Sequence, residues 1–157
     1  MEFGFSEALE TEKPDDAAHP LKSVDFWVRY PRLIWLIEVK DPEGTPFPYQ
    51  SGQVNDSLAK LKNGDLINEH LLPKIYGVFA YLAQNNRVPR GRVRYGIVIG
   101  IQSLTASDRS VLTDKLQRTI DKIGPRSRYG RYDPLVEVHN VESWNRVHPG
   151  MAITRHP

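Results

Sequence analysis

The sequence predicts an α/β domain with a mixed central sheet flanked by helices. Three observations carry that expectation. Leu33-Ile34-Trp35-Leu36-Ile37 is an unbroken apolar run, which indicates a strand covered on both faces. Strand-like segments are separated by segments of helical periodicity, which implies crossovers and an at least partly parallel sheet. The 157 residues are 39% hydrophobic, enough for one core, so the whole chain, residues 1–157, reads as one domain.

Taken in order, Phe3 to about Glu12 is spaced for a short helix, with Phe5, Ala8, Leu9 and Glu12 on one face. Lys13 to Pro20, with two prolines and two aspartates, reads as a loop. Val24-Asp25-Phe26-Trp27-Val28 is rich in β-branched and aromatic residues and reads as a strand. Tyr30-Pro31-Arg32 is a turn, and Leu33 to Lys40 is the second strand. Asp41 to Gly52 holds three prolines and two glycines and reads as an irregular loop. Helical spacing follows over Gln53–Leu61 and Asp65–Asn85, with Pro73 kinking the second segment or starting a fresh helix. Arg92 to Ile101 is a strand. Ser107 caps an amphipathic helix with Val111, Leu112, Leu116, Ile120 and Ile123 on one face, closed by Gly124-Pro125. Leu135 to His139 is the last strand, before a tail that contains Trp144.

Composition narrows the function by exclusion. No cysteine is present, so disulfides, thiolate nucleophiles and cysteine zinc sites are ruled out. No window approaches the roughly 18 apolar residues of a membrane span, and Met1-Glu2-Phe3-Gly4 does not open a secretory signal. A cytoplasmic protein without membrane association is therefore expected, with export by a dedicated secretion system still open. A net charge of +2 does not announce a nucleic-acid binder. There is no P-loop, dinucleotide fingerprint or G-x-S-x-G elbow.

The chemistry concentrates on one hairpin. Glu38 and Lys40 lie two apart on one strand, so their side chains leave the same face. A turn symmetric about the Pro31–Arg32 bond pairs Tyr30 with Leu33, Val28 with Trp35 and Asp25 with Glu38. Two carboxylates directly opposed on one face repel. A divalent cation accounts for them, because Mg²⁺ and Mn²⁺ take oxygen ligands and bridge carboxylates to phosphates. Lys40 then stands beside the metal, facing substrate.

Asp25, twelve intervening residues, and Glu38-Val39-Lys40 at the end of an apolar strand together resemble the PD-(D/E)xK nuclease superfamily, with its restriction-endonuclease-like fold. The resemblance spans roughly Glu7 to Ile101. It implies a Mg²⁺-dependent (or Mn²⁺-dependent) endonuclease acting on DNA, with Asp25, Glu38 and the carbonyl of Val39 as metal ligands. It further implies an N-terminal helix carrying a glutamate, for which Glu7 and Glu10 are the candidates and Glu10 the preferred one. Val24 stands where the family has proline, and Lys13 to Ser23 offers no strand where the family has one. Lys40, beside two carboxylates, suits a cation that orients water and stabilises transition-state charge better than a general base.

Arg126, Arg128 and Arg131, interleaved with Tyr129 and Tyr132, are suited to phosphate contact and base stacking. Arg90, Arg92 and Arg94 alternate along one strand face, with Arg92 a further nucleic-acid candidate. Lys60 and Lys62 read as a helix exit. The five histidines show no metal-ligand spacing, and Trp27, Trp35 and Trp144 read as core. A core this small implies a homodimer, a partner protein or a structured substrate for selectivity. Two further readings stand: a catalytically silent module of the same fold that binds nucleic acid or protein, and a nuclease toxin with the same chemistry.

Overall fold

A computed structural model describes residues 1–14, 22–44, 50–87, 92–123 and 134–154. Its strands are β1 (Glu2–Phe3), β2 (Glu10–Glu12), β3 (Phe26–Tyr30), β4 (Leu33–Lys40), β5 (Arg92–Ile99), β6 (Leu135–His139) and β7 (Ile153–Thr154). Its helices are α1 (Gln50–Asn63), α2 (Leu72–Gln84), α3 (Ala106–Ile123) and α4 (Val141–Val147). A mixed five-stranded sheet has the order β2-β3-β4-β5-β6, antiparallel up to β4 and parallel beyond it. The α/β expectation therefore holds. No helix among the described residues is long and apolar enough to cross a membrane.

The apolar run in β4 is buried from Ile34 to Ile37, on both faces. One face carries Trp27, Leu36, Tyr95, Ile97 and Val138 and packs beneath α2 and α3 through Ile75, Val78, Leu82, Leu112, Leu116 and Ile120. The other carries Val28, Trp35, Ile37 and Val98 and is covered by Trp144 of α4, Met151 and Ile153. Gly96 is what lets Trp144 lie flat there, since a Cβ would meet the indole at 2.8 Å. Val111, expected on the apolar face of α3, is half exposed.

The N-terminal helix expected over residues 3–12 does not form. Glu10–Glu12 instead pair as a strand with β3, and Phe3 pairs with Ile153. The reason lies in tertiary packing: Phe3 and Phe5 stack against Phe26, which the extended chain permits and which outweighs a weak helical spacing. The cap of α3 is Thr105 rather than Ser107: its Oγ accepts from Asp108 N–H, and its N–H donates to the Asp108 carboxylate. The tail is also structured. Asn140 and Ser143 form a capping box that starts α4, and Trp144 Nε1 donates to Met151 O at 2.6 Å.

Between α1 and α2 the chain makes a π-helical turn, Leu66–Leu71, and Pro73 falls in the first turn of α2. Proline has no N–H to give to a carbonyl one turn back, and the wider turn accommodates this without ending the helix. Lys74, the next residue, is thereby placed over the sheet. Close approach fixes α2 further, because the carbonyl of Lys22 occupies the space where Gly77 would carry a Cβ.

Candidate metal and phosphate site

The β3–β4 ladder has the register read from the turn, with Tyr30 opposite Leu33 and Val28 opposite Trp35. Pairing ends at Phe26 and Ile37. One residue earlier the side chain of Asp25 replaces the backbone rung: its Oδ2 accepts the Val39 N–H at 2.6 Å. Asp25, Glu38 and Lys40 are therefore brought together at the end of the hairpin, beneath the helical layer.

Glu38 is fully buried. Its Oε1 meets two ammonium groups, Lys40 Nζ at 2.8 Å and Lys74 Nζ at 3.0 Å. Its Oε2 accepts no hydrogen bond from any described residue. Lys74 also reaches Asp25 Oδ1 at 3.6 Å, so its ammonium spans the two acids. Burial raises the Glu38 pKa to about 7, and the Asp25 charge adds to the effect, while Lys40 and Lys74 oppose it. A group held so far from its ordinary range, at the end of a buried strand, marks a functional-site candidate.

The surroundings are basic on one side. Burial lowers the pKa of His70 on the π-helical turn, and the charges of Lys40, Lys60 and Lys22 lower it further while Glu69 opposes them. Lys60, read from the sequence as a helix exit, thus belongs to the same rim, paired with Asp56. Beside Asp25 a cavity of about 320 Å³ is lined by Asp25, Val39, Asp41, Phe26 and Lys13. Beneath the site Tyr95, wholly buried, donates its hydroxyl proton to Leu71 O at 3.0 Å.

Other expected residues lie elsewhere. Glu10 faces Arg29 across β2–β3, four residues along β3 from Asp25, about 13 Å at the rise of a strand. Its carboxylate is held by Arg87 and Arg29, so it does not join Asp25 and Glu38. Glu12, lowered in pKa despite burial by Tyr81 and Arg87, belongs to the same cluster. Glu7, in a left-handed turn, is exposed and is on no helix. Arg92 is exposed opposite Leu33, five rungs from Glu38 and about 16 Å away. Arg94 is taken up by Glu137 on the other face. Arg90, Arg126, Arg128, Arg131, Tyr129 and Tyr132 lie outside the described residues. Lys74 is the residue that sequence reading missed. It follows Pro73 in a helix, thirty-four positions after the hairpin ends at Lys40, and only the packing of α2 on β4 brings it in.

Compared with protein-family models, with curated proteins and with solved structures, the chain matches none.

Proposed function

We propose that the chain is a Mg²⁺-dependent nuclease that hydrolyses phosphodiester bonds in DNA, with Asp25, Glu38, Lys40 and Lys74 as its centre. The observation that carries the reading is the buried Glu38 carboxylate, which has one oxygen without a partner and an Asp25 carboxylate beside it. The donor set fits a hard divalent ion, which takes carboxylate and carbonyl oxygens. Asp25, Glu38 and the carbonyl of Val39 would hold it. When bound, the ion supplies Lewis-acid polarisation of a phosphoryl oxygen and lowers the pKa of its water.

The chain's own residues account for the rest. With both carboxylates ionised and no ion bound, two carboxylates face two ammonium groups and the charges of the site cancel. A divalent ion turns the same site into a dication, which an anionic diester offsets. Asp25 is oriented by the Val39 amide at Oδ2, and Oδ1, 3.6 Å from the Lys74 ammonium, is the oxygen that would meet the ion. Lys40, whose side chain is 31% exposed against 14% for Lys74, is the ammonium on the solvent side and meets the transferring phosphate. Lys74, deeper, holds the two acids at their spacing. Lys22, Lys40 and Lys60 around His70 give a phosphate backbone a basic margin to follow. The order β2-β3-β4-β5, with β5 parallel to β4 after a helical crossover, is compatible with a restriction-endonuclease-like core.

One observation favours a second reading, a catalytically silent module of the same fold. The Lys74 ammonium already spans Asp25 and Glu38 and compensates them without an ion. Calorimetric titration of Mg²⁺ and Mn²⁺ into chelator-stripped protein separates the two. The nuclease reading expects binding that Glu38→Ala and Asp25→Asn both abolish. Heat of dilution alone, for wild type and variants alike, leaves the silent module standing.

A further inference from the structure

On the opposite face of the sheet, β6 and the chain after α4 bring together three side chains that the proposed nuclease centre does not use. Glu137 and His139 alternate on β6 and share its face with Arg94, Gly96 and Val98 of β5. His148 follows α4 and returns to the same spot. His148 Nε2 lies 2.9 Å from Glu137 Oε2, and His139 Nε2 lies 3.4 Å from the same oxygen. One atom from each of the three side chains falls within 4.8 Å of the others. Tetrahedral zinc with bonds of about 2.0–2.1 Å has ligand–ligand edges of about 3.3–3.4 Å; the His139–Glu137 edge of 3.4 Å matches this, and the His148–Glu137 edge of 2.9 Å is somewhat shorter.

The hydrogen-bond network fixes which atoms face inward. Ser143 Oγ has one proton, and it donates that proton to Asn140 O at 3.2 Å while accepting from Asn140 N–H. Toward His139 Nδ1, 3.3 Å away, the hydroxyl therefore acts as acceptor, which assigns the proton of His139 to Nδ1. His139 Nε2 then points a lone pair at a carboxylate oxygen. That arrangement calls for a cation between them.

We infer that Glu137, His139 and His148 form a second metal site, which takes a zinc-class transition ion through two neutral imidazoles and one carboxylate oxygen. Around it stand the supports that such a site uses. Arg94 engages Glu137 Oε1 and leaves Oε2 to the ion. Ser143 orients His139. Trp144 and Trp35 wall off His148, with ring centroids at 4.6 and 4.8 Å. A cavity of about 320 Å³ lies beside His139, lined also by Ser143, Arg109 and Arg146. Nitrogen ligands select a zinc-class ion over Mg²⁺, so the two sites differ in ion as well as position. A bound ion would tie the segment after α4 to the edge strand β6. The sequence signal was present as Glu137-Val138-His139, but His148 joins it only through the turn of α4.

The test uses the full chain, stripped with chelator and titrated with Zn²⁺ by calorimetry and with Co²⁺ by visible absorbance. Both titrations are run in the Glu38→Ala background, which removes the first site, and one equivalent is expected there, with cobalt d–d bands of a four- or five-coordinate nitrogen and oxygen site. Changes outside the ligand set alone cost about 10–100-fold in affinity, so His139→Gln and His148→Asn should each lose more than about 100-fold. For the case that either variant misfolds, wild-type histidine side-chain ¹⁵N shifts are followed on adding Zn²⁺. Shifts confined to His139 and His148 support the site. Uptake that survives both substitutions, shifts at His19, His70 or His156 instead, or no stoichiometric uptake would overturn it.

Discussion

Replacing Glu38 by glutamine tests whether its burial is a cost in the metal-free protein. The glutamine is nearly isosteric with the protonated acid, so at low pH the variant and the wild type should be equally stable. Glu38 titrates at about 7 in the folded chain against 4.5 when unfolded. Between these values the folded state keeps a proton that the unfolded state has lost, so stability falls as pH rises through the interval and levels off above about 7. The difference corresponds to about 3 kcal/mol at about 1.4 kcal/mol per pH unit, with no discount for solvent because the side chain is fully buried. Urea unfolding in EDTA at pH 4, 5, 6, 7 and 8 measures it, and the difference between the two curves cancels every other titration. Glu38→Gln should match wild type at pH 4 and exceed it by about 3 kcal/mol at pH 8. Saturating Mg²⁺ should close that gap by stabilising only the wild type, with apparent affinity falling about tenfold per pH unit below 7 as proton and metal compete. A flat difference, or a glutamine variant less stable at pH 8, would refute the reasoning.

Three further outcomes follow from the same structure. Gly77→Ala, a change that ordinarily favours a helix by about 1 kcal/mol, should instead destabilise by about 1–3 kcal/mol or more, because the new methyl meets the Lys22 carbonyl; the urea midpoint checks it, and a rise would show that the approach is not rigid. Lys74→Met should lower the rate of metal-dependent cleavage by about tenfold or more, less than the roughly 100–1,000-fold for a donor on the developing charge itself because Lys74 acts through the two acids, and a rate equal to wild type in a cleavage time course would remove Lys74 from the centre. Glu10→Gln should leave cleavage within about twofold and cost no more than about 1 kcal/mol in stability, as expected for a partly exposed ion pair; loss of cleavage without loss of fold would restore Glu10 to the site.

What the sequence made legible was whatever depends on neighbours along the chain. The turn at Pro31-Arg32 set the register of the hairpin, and the register brought Asp25 to Glu38. The unbroken run in β4 signalled its burial on both faces. Contributions from distant segments were not readable. Lys74 enters from α2, and its placement depends on the π-helical turn and the Gly77 contact. The N-terminal segment has a spacing compatible with a helix, yet Phe3 and Phe5 find Phe26 and the chain runs extended. That change moved Glu10 from a helix near the centre to a strand beside Arg87. In the same way His148 and Glu137 are eleven residues apart and meet only because α4 folds back over Gly96.

The most direct measurement incubates purified protein with supercoiled plasmid and Mg²⁺ or Mn²⁺, beside Glu38→Ala, Lys40→Ala and an EDTA control. The proposed centre predicts nicking that needs the metal, disappears in Glu38→Ala, and falls at least about 100-fold in Lys40→Ala. Intact plasmid in every lane, together with intact linear, single-stranded and branched substrates, would contradict the nuclease reading. So would cleavage that persists in both variants.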